Sequence, residues 1–474
     1  MISNKIEFGD FQTPNSLAMQ VCQKLHEMNI RPDYIIEPTC GLGSFVLAGN
    51  TIFNNAKTLG FDINHDYIAE LRKKTSTNDA IFLDVQDFFS NDWHKVIANL
   101  SGSILVLGNP PWVTNSVQGV LDSCNLPEKS NFLKLKGLDA VTGKSNFDIS
   151  EWMLIEILSW FKKKTGVIAM LVKTSVARKV IQFAEKNKIP ASRISLMKIN
   201  ARFHFNASVD ACIFIMHLND GAKSSYDYSV YDDVNSADYN LVGHRDGFAV
   251  SNLRDYEKFR HVAGKNGIKW RSGIKHDLSA VMELTSDQGE IRNGFGETVE
   301  IEHDLLFPLM KGSDIGSNKE WRGKYVLITQ SHVGQSTEYI KIKYPATFKY
   351  LEKHSEKFAM RKSIIYKNTP RFSIFGVGDY SFKPWKIAIC GLYKKLNFKI
   401  IAPINNKSVM FDDTVYFISF DTEKEAVIAL AYLQSNYVKS YLNSVIFWDE
   451  KRPIKTSLLN SLAWETESSQ FSLI

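Results

Sequence analysis

The amino-acid sequence predicts an α/β fold in its first half, an open, mostly parallel sheet covered by helices, followed by a mixed α+β second half. Three observations carry this. Apolar segments of strand length alternate with amphipathic segments of helix length as far as residue 216, the pattern of βα units. A Gly-rich turn, 37-EPTCGLGSF-45, joins the first strand to the next helix, at the end of the sheet where ligands bind in such folds. After about residue 220 the alternation fades, and Gly, Asp, Asn and Ser cluster over 219–247. A chain of 474 residues is too long for one ordinary core. We therefore expect two domains, 1–220 and 221–474.

The elements follow in order. Thr13-Pro14 reads as an N-cap with Pro at the first helical position. Leu17, Val21 and Leu25 recur every four residues, which is one face of a helix. An apolar strand is expected at 33–36, then the Gly-rich turn and a helix. A strand ending at Phe61, a helix from Asp66 and strands at 80–83 and 103–107 come next. A longer loop leads to a helix over 148–162, a strand over 166–172 and a helix over 174–187. Strands near 194–200 and 209–216 complete the half.

Composition narrows the function classes. Hydrophobic residues make up 44% of the chain, an ordinary share for a soluble globular protein. No apolar run approaches the length of a membrane span, and the opening MISNKIEFGD has no apolar core of a secretion signal. The five cysteines, Cys22, Cys40, Cys124, Cys212 and Cys390, form no CxxC pair and no zinc spacing. They read as reduced thiols of a cytoplasmic protein. Net charge is +6, but residues 341–399 carry 14 Lys/Arg against three acidic residues. Tyr344, Phe348, Tyr350, Tyr366, Phe372, Phe375, Tyr380, Phe382 and Trp385 are interspersed there. Basic groups neutralise phosphates and aromatics stack on bases; a charged face over an aromatic core explains the same composition equally well.

A ligand site is legible at the strand ends. Gly41 and Gly43 let the backbone turn tightly against a ligand, and Asp62 ends the second strand about 20 residues on, where a carboxylate can accept ribose hydroxyls. This fits NAD as well as S-adenosylmethionine. Phe45 and Val46 occupy the region of the third glycine of a dinucleotide fingerprint, which argues against a pyrophosphate on the helix N-terminus. In 84-DVQDFF-89, Asp87 can accept from an adenine amino group and Phe88 can cover its ring; a helix-capping Asp beside a core Phe is the bland alternative.

Strand 103–107 runs into 109-NPPW-112. Consecutive prolines remove two donors and fix φ, so the Asn109 side-chain oxygen and the Pro110 carbonyl form an acceptor pair. A base amino group is a poor nucleophile because its lone pair is delocalised. Two acceptors for its hydrogens stabilise the positive charge that develops as it attacks a methyl donor. Trp112 supplies a flat face for an extruded base. In 203-FHFNASVDACIFIM-216 one of two Phe can form the second wall, the other belonging to the core.

Together these residues resemble the gamma-class, TaqI-like adenine-N6 DNA methyltransferases. That family carries a G-x-F-x-T-P element, here 9-GDFQTP-14, a Gly-rich turn, then NPP[YFW], with the target-recognition domain last. Gly41 precedes Asn109 by only 68 residues, too few to hold a recognition domain between them. Trp112 stands where Tyr or Phe is commoner. The specific motifs cover 1–216; 305-LLFPLMKGSDI-315 and 369-TPRFSIFGVGDYSFKPWKIAICGLYK-394 are softer matches to recognition-domain segments. The resemblance implies a Rossmann-like S-adenosylmethionine domain with a seven-stranded sheet. It implies that Thr13 and Glu37 hold the methionine part, Asp62 the ribose, and Asp87 and Phe88 the adenine. Phe11, Pro14, Thr39, Gly41, Gly43, Ile63 and Asn109 complete the cofactor set, and Asn109, Pro110, Pro111, Trp112 and Phe205 receive the target, with Phe203 second to Phe205. Arg371, Lys383, Lys386, Lys394 and Lys395 are the candidate DNA contacts. The implied partners are double-stranded DNA and a cognate restriction endonuclease, the enzyme acting as a monomer without a metal.

The same tetrapeptide chemistry serves cytosine N4, RNA and protein glutamine. Cytosine-N4 enzymes usually carry Ser where Asn109 stands, and the other two classes are usually much shorter chains. A methylating or non-catalytic DNA-binding subunit of a larger complex is the alternative of another class. The long second half and the intact NPPW argue against it.

Overall fold

The computed structural model describes residues 11–112, 148–162, 164–219, 223–264, 267, 269–287 and 289–463. Gly9, Asp10 and Cys124 lie outside them. Two compact units divide at Ala249/Val250, beyond the expected boundary at 220.

The first unit is built on one sheet. Its strands are β1 (Tyr34–Glu37), β2 (Lys57–Asp62), β3 (Ile81–Val85), β4 (Ile104–Gly108), β5 (Gly166–Lys173), β6 (Ala191–Ile199), β7 (Ala211–Leu218), β8 (Tyr228–Tyr231), β9 (Tyr239–Arg245) and β10 (Phe248–Val250). The order is β10-β9-β8-β6-β7-β5-β4-β1-β2-β3. Strands β3, β2, β1, β4 and β5 run parallel, and β7 lies antiparallel between β5 and β6. Within this sheet of ten strands, the seven-stranded sheet that the resemblance implies is present as β1–β7. Its β6 edge is extended by β8, parallel to it, and then by β9 and β10. Pairing covers an edge whose N–H and C=O groups would otherwise face water, which is why the first unit runs past 220.

Helices α1 (Asn15–Glu27), α2 (Ser44–Ile52), α3 (His65–Lys74), α4 (Trp93–Ala98), α5 (Ile149–Trp160), α6 (Thr174–Lys186) and α7 (Ala201–Phe205) connect the strands. Leu17, Val21 and Leu25 of α1 are buried against Ile35, Leu105 and Leu107 of the central strands. Each such side chain contributes about 1.5–3 kcal/mol by leaving water, which outweighs the low intrinsic helix preference of a 13-residue segment. Pro14, not Thr13, is the N-cap of α1, and it makes no side-chain cap bond. The first intrahelical bond is Ala18 N–H to the Pro14 carbonyl, 3.1 Å, and the Thr13 hydroxyl is used elsewhere.

The second unit holds two further sheets. One, of order β11-β19-β16-β17, is antiparallel throughout and comprises Arg271–Ser272 (β11), Trp385–Cys390 (β16), Lys399–Ile401 (β17) and Val415–Phe420 (β19). The other, of order β13-β12-β15-β14-β18, comprises Glu283–Asp287 (β12), Glu290–Arg292 (β13), Leu306–Met310 (β14), Lys324–Leu327 (β15) and Met410–Phe411 (β18). None of the nine aromatic side chains singled out between 341 and 399 is exposed; Tyr344, Tyr350 and Phe372 are buried in one core. The other six are half-buried, so most of these rings contribute to the cores of the unit. Among the described residues no helix is long and apolar enough to cross a membrane.

Candidate active site at the strand ends

The carboxyl ends of β1, β2, β3 and β4 converge on a cavity of about 420 Å³ within the first unit. Of the residues expected there, Phe11, Thr13, Glu37, Thr39, Gly41, Asp62, Ile63, Asp87, Phe88, Asn109 and Pro111 line it. Pro14 and Gly43 do not. Gly43 is the N-cap of α2 with φ 84°, and a Cβ there would lie 2.4 Å from Leu71 Cδ1; its glycine serves the packing of α2 on α3. Gln12, Cys40, Ser44, Phe45, Asn64, Tyr67, Gln86, Phe89 and Met153 also line the cavity. Gln12 is structurally the most specific of these: its Oε1 accepts from Leu42 N–H at 3.0 Å, and a Cβ on Gly41 would lie 2.7 Å from that oxygen.

Asp62 closes the Gly-rich turn. Oδ2 accepts from Gly41 N–H and Oδ1 from Asn64 N–H, each at 2.8 Å. Ile63 stands 51% exposed at the rim. Asp87 Oδ1 accepts from Phe89 N–H at 3.0 Å, so it also shapes its own turn. Phe88 is buried among Phe89, Trp93, Trp152 and Trp160.

Glu37 is 3% exposed. Burial pushes its carboxyl well above the usual carboxylate range, the neighbouring Asp62 carboxylate adds to this, and a bond from Val46 N–H opposes it. Three buried polar atoms around the cavity have no hydrogen-bond partner: Glu37 Oε2, Thr39 Oγ1 and Asn109 Oδ1. Buried polar atoms in native proteins are almost always satisfied, so this set fits a polar ligand that supplies donors. Burial also raises the Cys40 thiol, which is therefore a neutral wall of the cavity.

The Asn109 amide has a fixed orientation. Its Nδ2 donates to the Phe11 carbonyl at 2.8 Å and to Thr13 Oγ1 at 3.3 Å. Pro110 is buried and Pro111 half-buried. Trp112 does not present the open face expected of it. It is 6% exposed, its Nε1–H donates to the Leu171 carbonyl at 3.3 Å, and Phe11 and Phe205 pack on it with ring centroids at 5.6 and 5.3 Å. The indole hydrogen bond draws the ring into the core, and the two Phe rings cover it. The structure brings Phe205, not Phe203, to this cluster. Sequence reasoning missed Lys173 at the end of β5. Its Nζ lies 2.6 Å from Asp148 Oδ2 and 3.4 Å from the Trp112 carbonyl. Among the described residues, no three His, Cys, Asp or Glu side chains are grouped to hold a metal.

The candidate cations of the second unit divide. Lys394 and Lys395 are exposed. Arg371 is paired with Glu352 through its two terminal guanidinium nitrogens, at 2.5 and 2.9 Å, and Lys383 with Asp421 at 2.7 Å. Lys386 is not available to a ligand. It is 1% exposed, its Nζ donates to the Ser381 and Val409 carbonyls, and burial brings its ammonium down to about 7. The cause is its place in β16, between β17 and β19.

No family model matches the chain. The Type II methyltransferase M.NspV of Nostoc sp. is 47% identical over 467 residues, which span 97% of each chain. The Type II methyltransferase M.CvrRI of Paramecium bursaria Chlorella virus XZ-6E is 32% identical over 106 residues, 22% of this chain and 25% of that one. Among solved structures, the Type IIL restriction-modification enzyme MmeI, in complex with DNA, is similar over 96% of this chain and 66% of its own, with a TM-score of 0.54. At 12% identity that likeness is one of fold.

Proposed function

The chain belongs to the Type II methyltransferases, with the Rossmann-like fold and the S-adenosylmethionine cofactor of that chemistry, and from this we propose that it methylates DNA, at N6 of an adenine swung out of the duplex. The observation that carries the amino-group reading is the Asn109 amide, and adenine is preferred to cytosine because Asn stands where cytosine-N4 enzymes usually carry Ser. The amide's two N–H donors are directed to Phe11 and Thr13, so the buried, partnerless Oδ1 is left as an acceptor. Together with the Pro110 carbonyl it can take both hydrogens of an exocyclic amino group. These bonds strengthen as the nitrogen gains positive charge, which is where a preorganised acceptor lowers a barrier.

Glu37, Thr13 and Thr39 would hold the amino-acid end of the cofactor, Asp62 the ribose, and Asp87, Phe88 and Ile63 the adenine. When bound, the cofactor supplies a methyl group made electrophilic by its sulfonium. Glu37 then meets a cationic ammonium, which favours its carboxylate form. Phe205 forms the wall of the target slot, and admitting a base requires its contact with Trp112 to open. The second unit reads the sequence, with exposed Lys394 and Lys395 among its phosphate contacts. The role is modification within a restriction-modification system, with a cognate endonuclease as the expected partner.

Expression in a host free of DNA methylation, followed by mass spectrometry of its nucleosides, tests this. N6-methyladenine is the expected product. N4-methylcytosine in its place, or a methylated protein with unmodified DNA, would reject the assignment.

A further inference from the structure

Phe203 is 80% exposed, two residues from the ring that covers Trp112. It stands on α7, a helix of five residues fixed at both ends. Asn200 Oδ1 accepts from Phe203 N–H at 3.0 Å, and Asn206, with φ 52°, donates its N–H to the Arg202 carbonyl. Phe203 is thus displayed on a rigid rim. Residues two apart on a helix point to opposite sides, so Phe205 faces the slot and Phe203 faces solvent. His204 bridges them, its ring centroid 4.9 Å from Phe203 and 6.2 Å from Phe205. An unbroken aromatic series, Phe203, His204, Phe205, Trp112, Phe11, therefore leads from solvent to the target slot. Burial lowers His204, so the bridging ring is neutral at pH 7.

A single exposed aromatic means little elsewhere on a surface. This one stands beside the slot that a base must enter, in a segment, 200–209, that carries Arg202 and no carboxylate. Extruding a base leaves a gap in the stack, and apolar wedges fill such gaps in kinked or opened duplexes.

We propose that Phe203 is a wedge: its ring enters the duplex beside the target and fills the stack as the base passes to the slot behind Phe205. This rests on the DNA reading above. It assigns to Phe203 a share of the work of opening the pair, separate from the chemistry.

The experiment is single-turnover methylation by wild type, Phe203→Ala and Phe203→Leu on the duplex sequence that the wild type methylates. Each protein meets a matched target and a target opposite an abasic site. Phe203→Ala should lose about 10- to 100-fold on the matched duplex and under about threefold on the abasic one, where no pair is left to open. Phe203→Leu should keep most of the activity. With 2-aminopurine at the target, the fluorescence rise on binding should appear with wild type and fade with Phe203→Ala. Unchanged melting and S-adenosylhomocysteine affinity check that the variants fold. An equal loss on both duplexes, or none on either, overturns the wedge while the DNA reading stands. A wild type that methylates no DNA overturns both.

Discussion

Removing the Asp62 carboxylate tests the cofactor assignment most directly. In the structure its two oxygens brace the Gly-rich turn through Gly41 N–H and Asn64 N–H, each at 2.8 Å. A carboxylate oxygen accepts more than one hydrogen bond, so these contacts leave room for ribose hydroxyls. Hydrogen bonds to a charged acceptor contribute about 1.5–3 kcal/mol each and are not additive. Losing two should therefore cost about 2–4 kcal/mol, or about 30- to 1,000-fold in affinity. Asp62→Ala also strands two backbone donors at a half-buried turn, which should lower the stability of the apo protein by about 1–2 kcal/mol. Asp62→Asn presents an amide N–H₂ to one of those donors, so it should repair the turn only in part. Calorimetric titration with S-adenosylhomocysteine reads the first effect, and scanning calorimetry of the apo protein reads the second. A lowered melting temperature with unchanged affinity would refute the ribose assignment and leave Asp62 as a brace.

Four further outcomes are expected. Asn109→Ala should lower turnover by about 10²–10³ while changing cofactor and DNA affinity far less; equal losses in all three would assign Asn109 to binding. Glu37, raised by burial, keeps a proton in the folded apo protein that the unfolded chain has already lost, so apo stability should fall as pH rises from the ordinary carboxylate range to the Glu37 value. Glu37→Gln should flatten that slope, and titrations of the wild type in buffers of different ionisation enthalpy should show a proton released on cofactor binding. Lys173→Met leaves the buried Asp148 without its cation and frees the Trp112 carbonyl; the half-screened pair should cost about 2–3 kcal/mol on melting, with a larger loss in turnover than in cofactor affinity. Replacing Lys394 and Lys395 by Ala should lower the salt slope of DNA binding by about 2, whereas replacing the buried Lys386 should leave it unchanged.

The first unit was legible because its elements are long enough for their periodicity to show. Helix α1 and strands β4, β5 and β7 bury what their apolar spacing said they would bury. The five residues of α7 are too few to show a period, and the sequence pattern assigns no element to them. Strands β8 and β10 have four and three residues, and β9 exposes its first three; their identity comes from pairing onto the β6 edge, which no local pattern carries. Thr13 departed from the N-cap rule because its hydroxyl is taken by a residue 96 positions away. The contacts of Gln12 with Leu42 and of Lys173 with Asp148 and Trp112 are likewise long-range. Lys386 was misread because its charge outweighed its setting: in 385-WKIAIC-390 it occupies a strand whose other residues are apolar, and the sheet buries it with them.

The tripeptide Phe11-Gln12-Thr13 joins the two halves of the site. It lines the cavity proposed for the cofactor, and through the Phe11 carbonyl and the Thr13 hydroxyl it also takes both donors of the Asn109 amide. An amide free to rotate could offer either its N–H₂ or its oxygen to an incoming group. Held as it is, Asn109 accepts only, so it complements a group that brings hydrogens and leaves a carbonyl in the same place facing another acceptor, which is unfavourable in a buried site. On the proposed function, a preference for an amino nitrogen over a keto oxygen would thus be set by residues nearly a hundred positions upstream. The Phe11 ring adds a second link, since it packs on Trp112 and Phe205 while facing the cofactor cavity. Gly108 supplies the third. A Cβ there would lie 3.2 Å from Glu37 Cγ, so its absence lets the strand that ends in Asn109 run directly beside the acid of the cofactor pocket. Methyl transfer needs donor and acceptor within contact distance, and these three links give the fold a physical means of holding both sites to one position.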